Sequence, residues 1–156
     1  MVVRPPVTPP VTDEGLVRVF TGITASFCGA LLVVGVIGVL FLAVDPQVSG
    51  PGLVIGVALA LVSWFGSAWA TGAVLAWACR TDVADRDVHG SVRTAAFVGI
   101  AVAELPALLG LVLLFAVGDG SEVGPLLVAV PVAIAAILVH ASGPAALRRH
   151  LARLRG

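Results

Sequence analysis

The sequence predicts an all-α membrane protein, an up-down bundle of four transmembrane helices with a short amphipathic helix at its C-terminus. Three observations support this fold class. The chain of 156 residues is 59% hydrophobic and 12% charged, whereas a soluble domain has about 25% charged residues. Long apolar segments alternate with short polar connections. The arginines are confined to segments that four spans would place on one side of the membrane.

Four apolar segments are each long enough to cross a bilayer, which takes about 20 residues in a helix. The predicted spans cover residues 19–44, 51–79, 94–117 and 123–141. In the shortest, Pro125 and Pro131 fall early, where a helix tolerates proline best. Because the connections are short, we expect antiparallel neighbours packed in sequence order within one transmembrane domain of residues 16–142.

The segment before the first span, residues 1–15, is rich in proline and is predicted to be a disordered cytoplasmic tail. The apolar run that follows it is longer than the core of a signal peptide, which has about 7–15 residues. We therefore expect the first span to be retained as a transmembrane helix.

The basic residues indicate the orientation. All nine are arginines: Arg4, Arg18, Arg80, Arg86, Arg93, Arg148, Arg149, Arg153 and Arg155. The connections 45–50 and 118–122 contain acidic residues and no basic ones. Since cytoplasmic segments carry the excess of basic residues, both termini are predicted to be cytoplasmic, in a multi-pass protein of the cytoplasmic (inner) membrane. The lack of lysine, together with many Ala, Val and Gly residues, suggests a GC-rich bacterial source.

The last fourteen residues, 143–156, form a basic amphipathic cytoplasmic tail. Leu147, Leu151 and Leu154 recur at helical spacing. The predicted membrane-surface residues are Arg148, Arg149, Arg153 and Arg155. A helix of this kind lies on the inner leaflet with its apolar side down, so the lipid bilayer and its anionic lipids are predicted partners. The alternative is a basic tail that only enforces the topology.

Small and hydroxyl-bearing residues form stripes along the predicted helices. Ser63, Ser67 and Thr71 recur every four residues in the second span, and the third span carries Gly99 and Ala103 among similar small residues. Such stripes let helices approach closely in lipid, so they predict interhelical packing.

Glu104 is the one charged residue inside a predicted span. An ionised group at the centre of a membrane helix costs about 2.5–3.5 kcal/mol even on lenient scales, which favours a protonated carboxyl. Pro106 lies two residues further on, where the missing N–H predicts a kink. Counting depth from the flanking arginines puts Ser67, Thr71 and Ser26 near Glu104, and these are the predicted partners of its carboxyl.

The residues around this carboxyl follow a recognisable pattern. Gly99 precedes an Ala103-Glu104 pair, and Gly110 begins a Gly-Leu-Val run. Over residues 93–112 this pattern resembles the carboxylate-bearing helix of the proteolipid of ATP synthase, its c subunit. The resemblance implies that Glu104 is an ion-carrying carboxylate. It is local and does not assign the whole chain to that family.

Several function classes lack support in the sequence. The net charge is zero, so nucleic-acid binding has no electrostatic basis. No catalytic motif, phosphate loop or metal-ligand spacing occurs, so we predict no enzyme activity, catalytic residue, metal or cofactor. Three hypotheses remain. In the first, the chain is a structural or accessory component of a homo-oligomer or larger membrane complex, with Glu104 as a buried hydrogen-bonding group between helices. The alternative is proton or cation translocation through Glu104 in a proteolipid-like manner. The third is an unrecognised transporter or membrane enzyme.

Overall fold

The computed structural model describes residues 12–80, 87–116 and 121–156, and within these ranges the regular structure is helical. The five helices are α1 Asp13–Ile37, α2 Gly50–Ala78, α3 Val88–Ala116, α4 Gly124–Ala136 and α5 Pro144–Arg155. α1 and α4 each continue into one turn of π-helix, Gly38–Leu42 and Ile137–Ala141. Among the described residues, four helical segments are long and apolar enough to cross a membrane. The predicted all-α bundle of four transmembrane helices is therefore confirmed.

The first helix begins inside the segment predicted to be a tail. The Thr12 hydroxyl accepts a hydrogen bond from the Gly15 amide at 3.2 Å and so caps α1. Asp13 and Glu14 follow in the first turn, where acidic side chains stabilise the positive end of the helix dipole. The rest of the predicted tail, residues 1–11, lies outside the described residues.

Three of the membrane helices, α2, α3 and α4, pack closely on one another, whereas α1 packs mainly against α4, α5 and α3. The expected packing in strict sequence order is therefore wrong for α1 and α2. The reason lies in α2, whose small residues face α3 and α4. A side chain added at Gly56, for example, would come within 2.9 Å of the Gly124 carbonyl oxygen. The remaining surface of α2 is bulky and exposed, as at Phe65 and Trp69.

Hydroxyl groups fix the register of the antiparallel pair α2 and α3. The Ser63 hydroxyl donates to the Ala103 carbonyl at 3.0 Å, and the Ser67 hydroxyl donates to the Gly99 carbonyl at 2.9 Å. Both serines are fully buried. The stripes thus act as predicted, since small residues allow close approach and the hydroxyls bond across the interface.

The C-terminal helix α5 folds back onto the arginine-bearing end of the bundle. Its leucines 147, 151 and 154 are buried in a cluster with residues of α1, α2 and α3, including Leu16, Phe20 and Leu75. The amphipathic helix exists as predicted, but its apolar stripe covers the protein's own helices. The expectation that this stripe lies against lipid is therefore wrong.

Candidate functional site at Glu104

Glu104 lies near the middle of α3, at the border between its packed and its exposed side. The preceding residue, Ala103, is fully buried, while the following residue, Leu105, is 60% exposed. Glu104 itself is half-buried. The carboxyl therefore lies at an edge of the helix that reaches towards the lipid.

Helix α1 lies beside this edge of α3. The rings of Phe20 and Phe97 are 5.3 Å apart and join the two helices near the arginine end. Cys28 lies eight residues after Phe20, and Glu104 lies seven residues after Phe97, so the two side chains are at similar depth on neighbouring helices.

The three hydroxyls predicted as partners do not meet the carboxyl in the structure. Ser67 donates to Gly99, and the exposed Ser26 donates to the Gly22 carbonyl of its own helix at 3.1 Å. The Thr71 hydroxyl is buried and has no described hydrogen-bond partner. No hydrogen bond or ion pair reaches Glu104 from the described part of the chain.

The register explains this difference. Because Ser63 bonds Ala103, Glu104 lies at the level of residues 62–63 of α2. Depth counting instead places it at Trp69, about seven residues or ~10 Å nearer the arginine end. The count assumes that Arg80 and Arg93 lie at equal depth, but Arg93 sits inside α3 while Arg80 follows the end of α2.

Pro106 is buried, and α3 continues through it as a helix. The missing N–H leaves the Val102 carbonyl without its usual helical donor, half a turn before Glu104. The Val102 side chain faces α2, where a Cβ at Gly66 would lie 3.0 Å from it. The kink itself stays a prediction.

The polar groups near Glu104 lie towards one end of the bundle only. Thr24 is one turn before Cys28 on α1, and its hydroxyl donates to the Ser142 hydroxyl at 2.8 Å. Both Thr24 and Ser142 are buried. Polar side chains therefore lie on the arginine side of the carboxyl.

Towards the other end, the described helices have no polar side chain. This apolar half of the bundle comprises residues 29–42, 50–62, 105–116 and 124–131. A proton or ion on Glu104 therefore has polar neighbours in one direction and only hydrocarbon in the other.

Sequence reasoning missed three residues of this region, Cys28, Thr24 and Ser142. Thr24 and Cys28 are four residues apart, which places them on one face of α1. That spacing could have pointed to them, although nothing local links Ser142 to either residue. Among the described residues, no group of three His, Cys, Asp or Glu side chains could hold a metal ion.

The arginines of α5 are exposed, and two of them have protein partners. Arg149 donates to the Val139 carbonyl at 2.5 Å, and Arg155 pairs with Asp13 at 2.5 Å. Asp13 also contacts His89 at 2.9 Å, which joins the starts of α1 and α3 to the end of α5. Contact of these arginines with anionic lipids stays a prediction.

A comparison with known protein families gives a match to part of the chain. The family model of the ATP synthase proteolipid, the c subunit, matches residues 55–117, which cover most of α2, the following connection and α3 with Glu104. The resemblance found at residues 93–112 is thus confirmed for a segment of the chain. Neither the search of curated proteins nor the search of solved structures returned a match.

Proposed function

We propose that Glu104 is a proton- or cation-binding carboxyl and that the chain works as one component of a homo-oligomer or larger membrane complex. The chain is a membrane protein with a segment similar to the ATP synthase proteolipid, and that segment contains Glu104. The observation that carries the proposal is the carboxyl itself. It sits at mid-helix, half-buried at an edge facing lipid, without a hydrogen bond from the described residues.

A carboxyl without a hydrogen-bond partner at this depth destabilises the protein, which argues against a purely structural group. An ionised form there costs about 2.5–3.5 kcal/mol or more, and a protonated form still leaves a donor and acceptors unused. The Glu104 carboxyl at this helix edge can exchange a proton or form a hydrogen bond with another molecule. Both roles require a neighbour that this chain does not supply from its described residues.

The one-sided polarity argues for a component of an assembly. Cys28, Thr24 and Ser142 are the polar groups at the level of Glu104 and on its arginine side, and we infer that a proton reaches the carboxyl from that side. From there to the opposite end, only apolar side chains line the described helices. A second copy or another protein must therefore complete any route across the membrane.

The second candidate is a structural or accessory role in which Glu104 hydrogen-bonds to a partner helix. The bare carboxyl at a lipid-facing edge favours this role as well, because polar groups in lipid hold helices together. In this case the hydrogen bond runs between molecules, whereas the sequence predicts it between helices of one chain.

For the orientation, we propose both termini on the cytoplasmic side of a bacterial inner membrane. The described arginines gather at one end of the bundle, and the opposite end carries Asp45 and Glu122 without a basic residue among the described positions. The exposed arginines of α5 would then meet the anionic inner leaflet. Labelling of an Ala152→Cys variant by an impermeant reagent from outside intact cells would overturn this orientation.

The Glu104→Gln variant distinguishes the two roles, because glutamine can still form hydrogen bonds but cannot titrate. We expect the complex that co-purifies in mild detergent to conduct protons in liposomes. The Glu104→Gln complex should assemble equally well but conduct nothing. The chain reconstituted as a monomer should not conduct.

Conduction by the Glu104→Gln complex would remove Glu104 as the carrier. The structural role instead predicts that Gln preserves the co-purifying complex while Glu104→Ala weakens it. A wild-type complex without flux, combined with that pattern, would decide for the structural role.

A further inference from the structure

The C-terminal helix α5 covers the arginine end of the bundle, over the hydrogen-bonded pair Thr24 and Ser142. Leu16 and Phe20 lie about two turns and one turn before Thr24, on the same buried face of α1. Both belong to the buried apolar cluster that contains the α5 leucines 147, 151 and 154. An apolar layer therefore separates the polar pair from the arginine end.

Water at this end of the bundle stops at the apolar layer. A cavity of about 500 Å³ lies between the start of α1 and the end of α5, and Leu151 forms part of its wall. Thr24 and Ser142 line neither this cavity nor a second one between α2 and α5, and they are only 2% and 0% exposed. Water from the arginine end can therefore reach the polar pair only when α5 moves.

Polar contacts at both ends of α5 hold the helix in this position. Near its start, Nε2 of His150 contacts the His140 carbonyl oxygen at 2.9 Å. At its end, Arg155 pairs with Asp13, and Asp13 also contacts His89 at 2.9 Å. The end of α5 is thus attached to the starts of α1 and α3 through partly exposed side chains.

The connection between the fourth span and α5 is short. Only Ser142 and Gly143 separate the π-helical turn from Pro144, the first residue of α5. Since proline has no N–H, the first residue of α5 makes no backbone hydrogen bond back to the span. A change of backbone angles in these two residues can move α5 as a unit, as in other hinged segments.

We propose that α5 is a lid over the arginine side of Glu104, and that its displacement lets water reach the polar pair beneath it. The structure shows the closed state. The leucines hold the lid shut, and the contacts of Asp13 adjust how often it opens. The role of the lid rests on the proposed function, in which protons reach Glu104 from this side, whereas its movement does not depend on Glu104.

The test measures the access of water to position 142 by thiol labelling. Ser142→Cys places a small thiol beneath the lid of the full chain in liposomes, and a water-soluble methanethiosulfonate is added on the arginine side. Mass spectrometry separates this modification from that of Cys28 and Cys79. Ala152→Cys gives the rate at an exposed position of α5. We expect position 142 to react on the order of a hundredfold more slowly, as for a lid that is open about 1% of the time.

Variants of the lid contacts should change this rate by different amounts. Leu151→Ala removes buried apolar surface and should speed labelling of position 142 by about tenfold or more. Asp13→Asn should speed it by about two- to fivefold, since a partly exposed ion pair contributes little. Glu14→Gln is the matched control, because it removes the same charge from the same turn of α1. Glu14 has no ion pair with α5 among the described residues, so its replacement should leave the rate unchanged.

A parallel series in the Glu104→Gln background separates this test from the proposed function. The same labelling rates are expected there, because opening of the lid does not require a titrating carboxyl. Loss of proton flux with these rates retained would count against proton binding alone. Thermal melting checks that each variant is folded, and Asp13→Asn decides if Leu151→Ala is not.

Two results would overturn the lid. One is labelling of position 142 as fast as that of position 152 in the otherwise unchanged chain, which would mean that α5 does not exclude water. The other is the same labelling rate in Asp13→Asn, Leu151→Ala and Glu14→Gln, which would mean that α5 does not control access.

Discussion

Glu122 shows how one carboxylate can order the end of the bundle opposite the arginines. It accepts hydrogen bonds from the Ser49 amide at 3.1 Å and the Gly124 amide at 3.0 Å. The Ser49 hydroxyl in turn caps α2 by accepting from the Gly52 amide at 3.0 Å. Glu122 therefore ties the start of α2 to the start of α4.

This environment makes the stability of the fold depend on pH. The hydrogen bond with the Ser49 side chain lowers the pKa of Glu122, against the opposing effect of burial, and the Gly124 and Ser49 amides lower it further. A carboxyl with a lower pKa in the folded state stabilises the fold above its unfolded pKa of about 4.3. That stabilisation is lost as the pH falls through the lower, folded pKa.

We expect Glu122→Gln to unfold at a lower temperature than the wild type at pH 7, because the amide keeps the shape but loses the charge. Melting in detergent should show the difference shrinking as the pH falls from about 5 to about 3. Since other carboxyls also titrate, the comparison between the two proteins isolates Glu122. A difference that stays constant over this range would exclude the proposed titration.

At the level of single residues, the sequence identifies Glu104 but not the residues that lie near it. A lone charge in an apolar segment is visible without a structure. Its neighbours depend on how deep each helix sits, and the arginines do not mark equal depths in α2 and α3. Ser142 belongs to no periodic pattern in the sequence, and only the tertiary fold brings it next to Thr24.

Among the elements, the α2–α3 pair depends on glycine at a close approach. A Cβ at Gly99 would overlap the Thr71 hydroxyl oxygen and lie 2.7 Å from the Ala141 Cβ. The same addition at Gly72 would meet nothing within 4 Å. These two glycines therefore provide a site of strong crowding and a matched control.

We predict that Gly99→Ala destabilises the folded protein by about 1–3 kcal/mol, because α2 and the end of the fourth span must move apart. Gly72→Ala should be neutral or slightly stabilising, since alanine favours a helix. Unfolding in a denaturing detergent series measures both. Equal stability of the two variants would contradict the close packing of α2 against α3.

The C-terminal helix shows what periodicity can and cannot predict. The leucine spacing in 143–156 predicts the amphipathic helix, and the structure contains it as α5. The pattern records only that one face is apolar. It does not say whether lipid or protein covers that face, and here α1, α2 and α3 do so.

At the scale of the whole molecule, the four-helix bundle could be predicted because each span is set by its own length and hydropathy. The arrangement of the spans could not, because α1 reaches α3 and α4 through contacts that no local pattern encodes. The result is a polar half and an apolar half, with Glu104 at their boundary. This asymmetry is the basis for proposing that Glu104 exchanges protons from the arginine end.

The most direct test is the rate at which a hydrophobic carbodiimide modifies Glu104 in liposomes that hold the monomeric chain in one orientation, with the pH set separately on each side. The reagent reacts with protonated carboxyls, and Glu104→Gln provides the unreactive control. We predict that modification slows when the pH is raised on the arginine side and does not change when it is raised on the other. Modification that follows the opposite side, or none at any pH, would contradict the account.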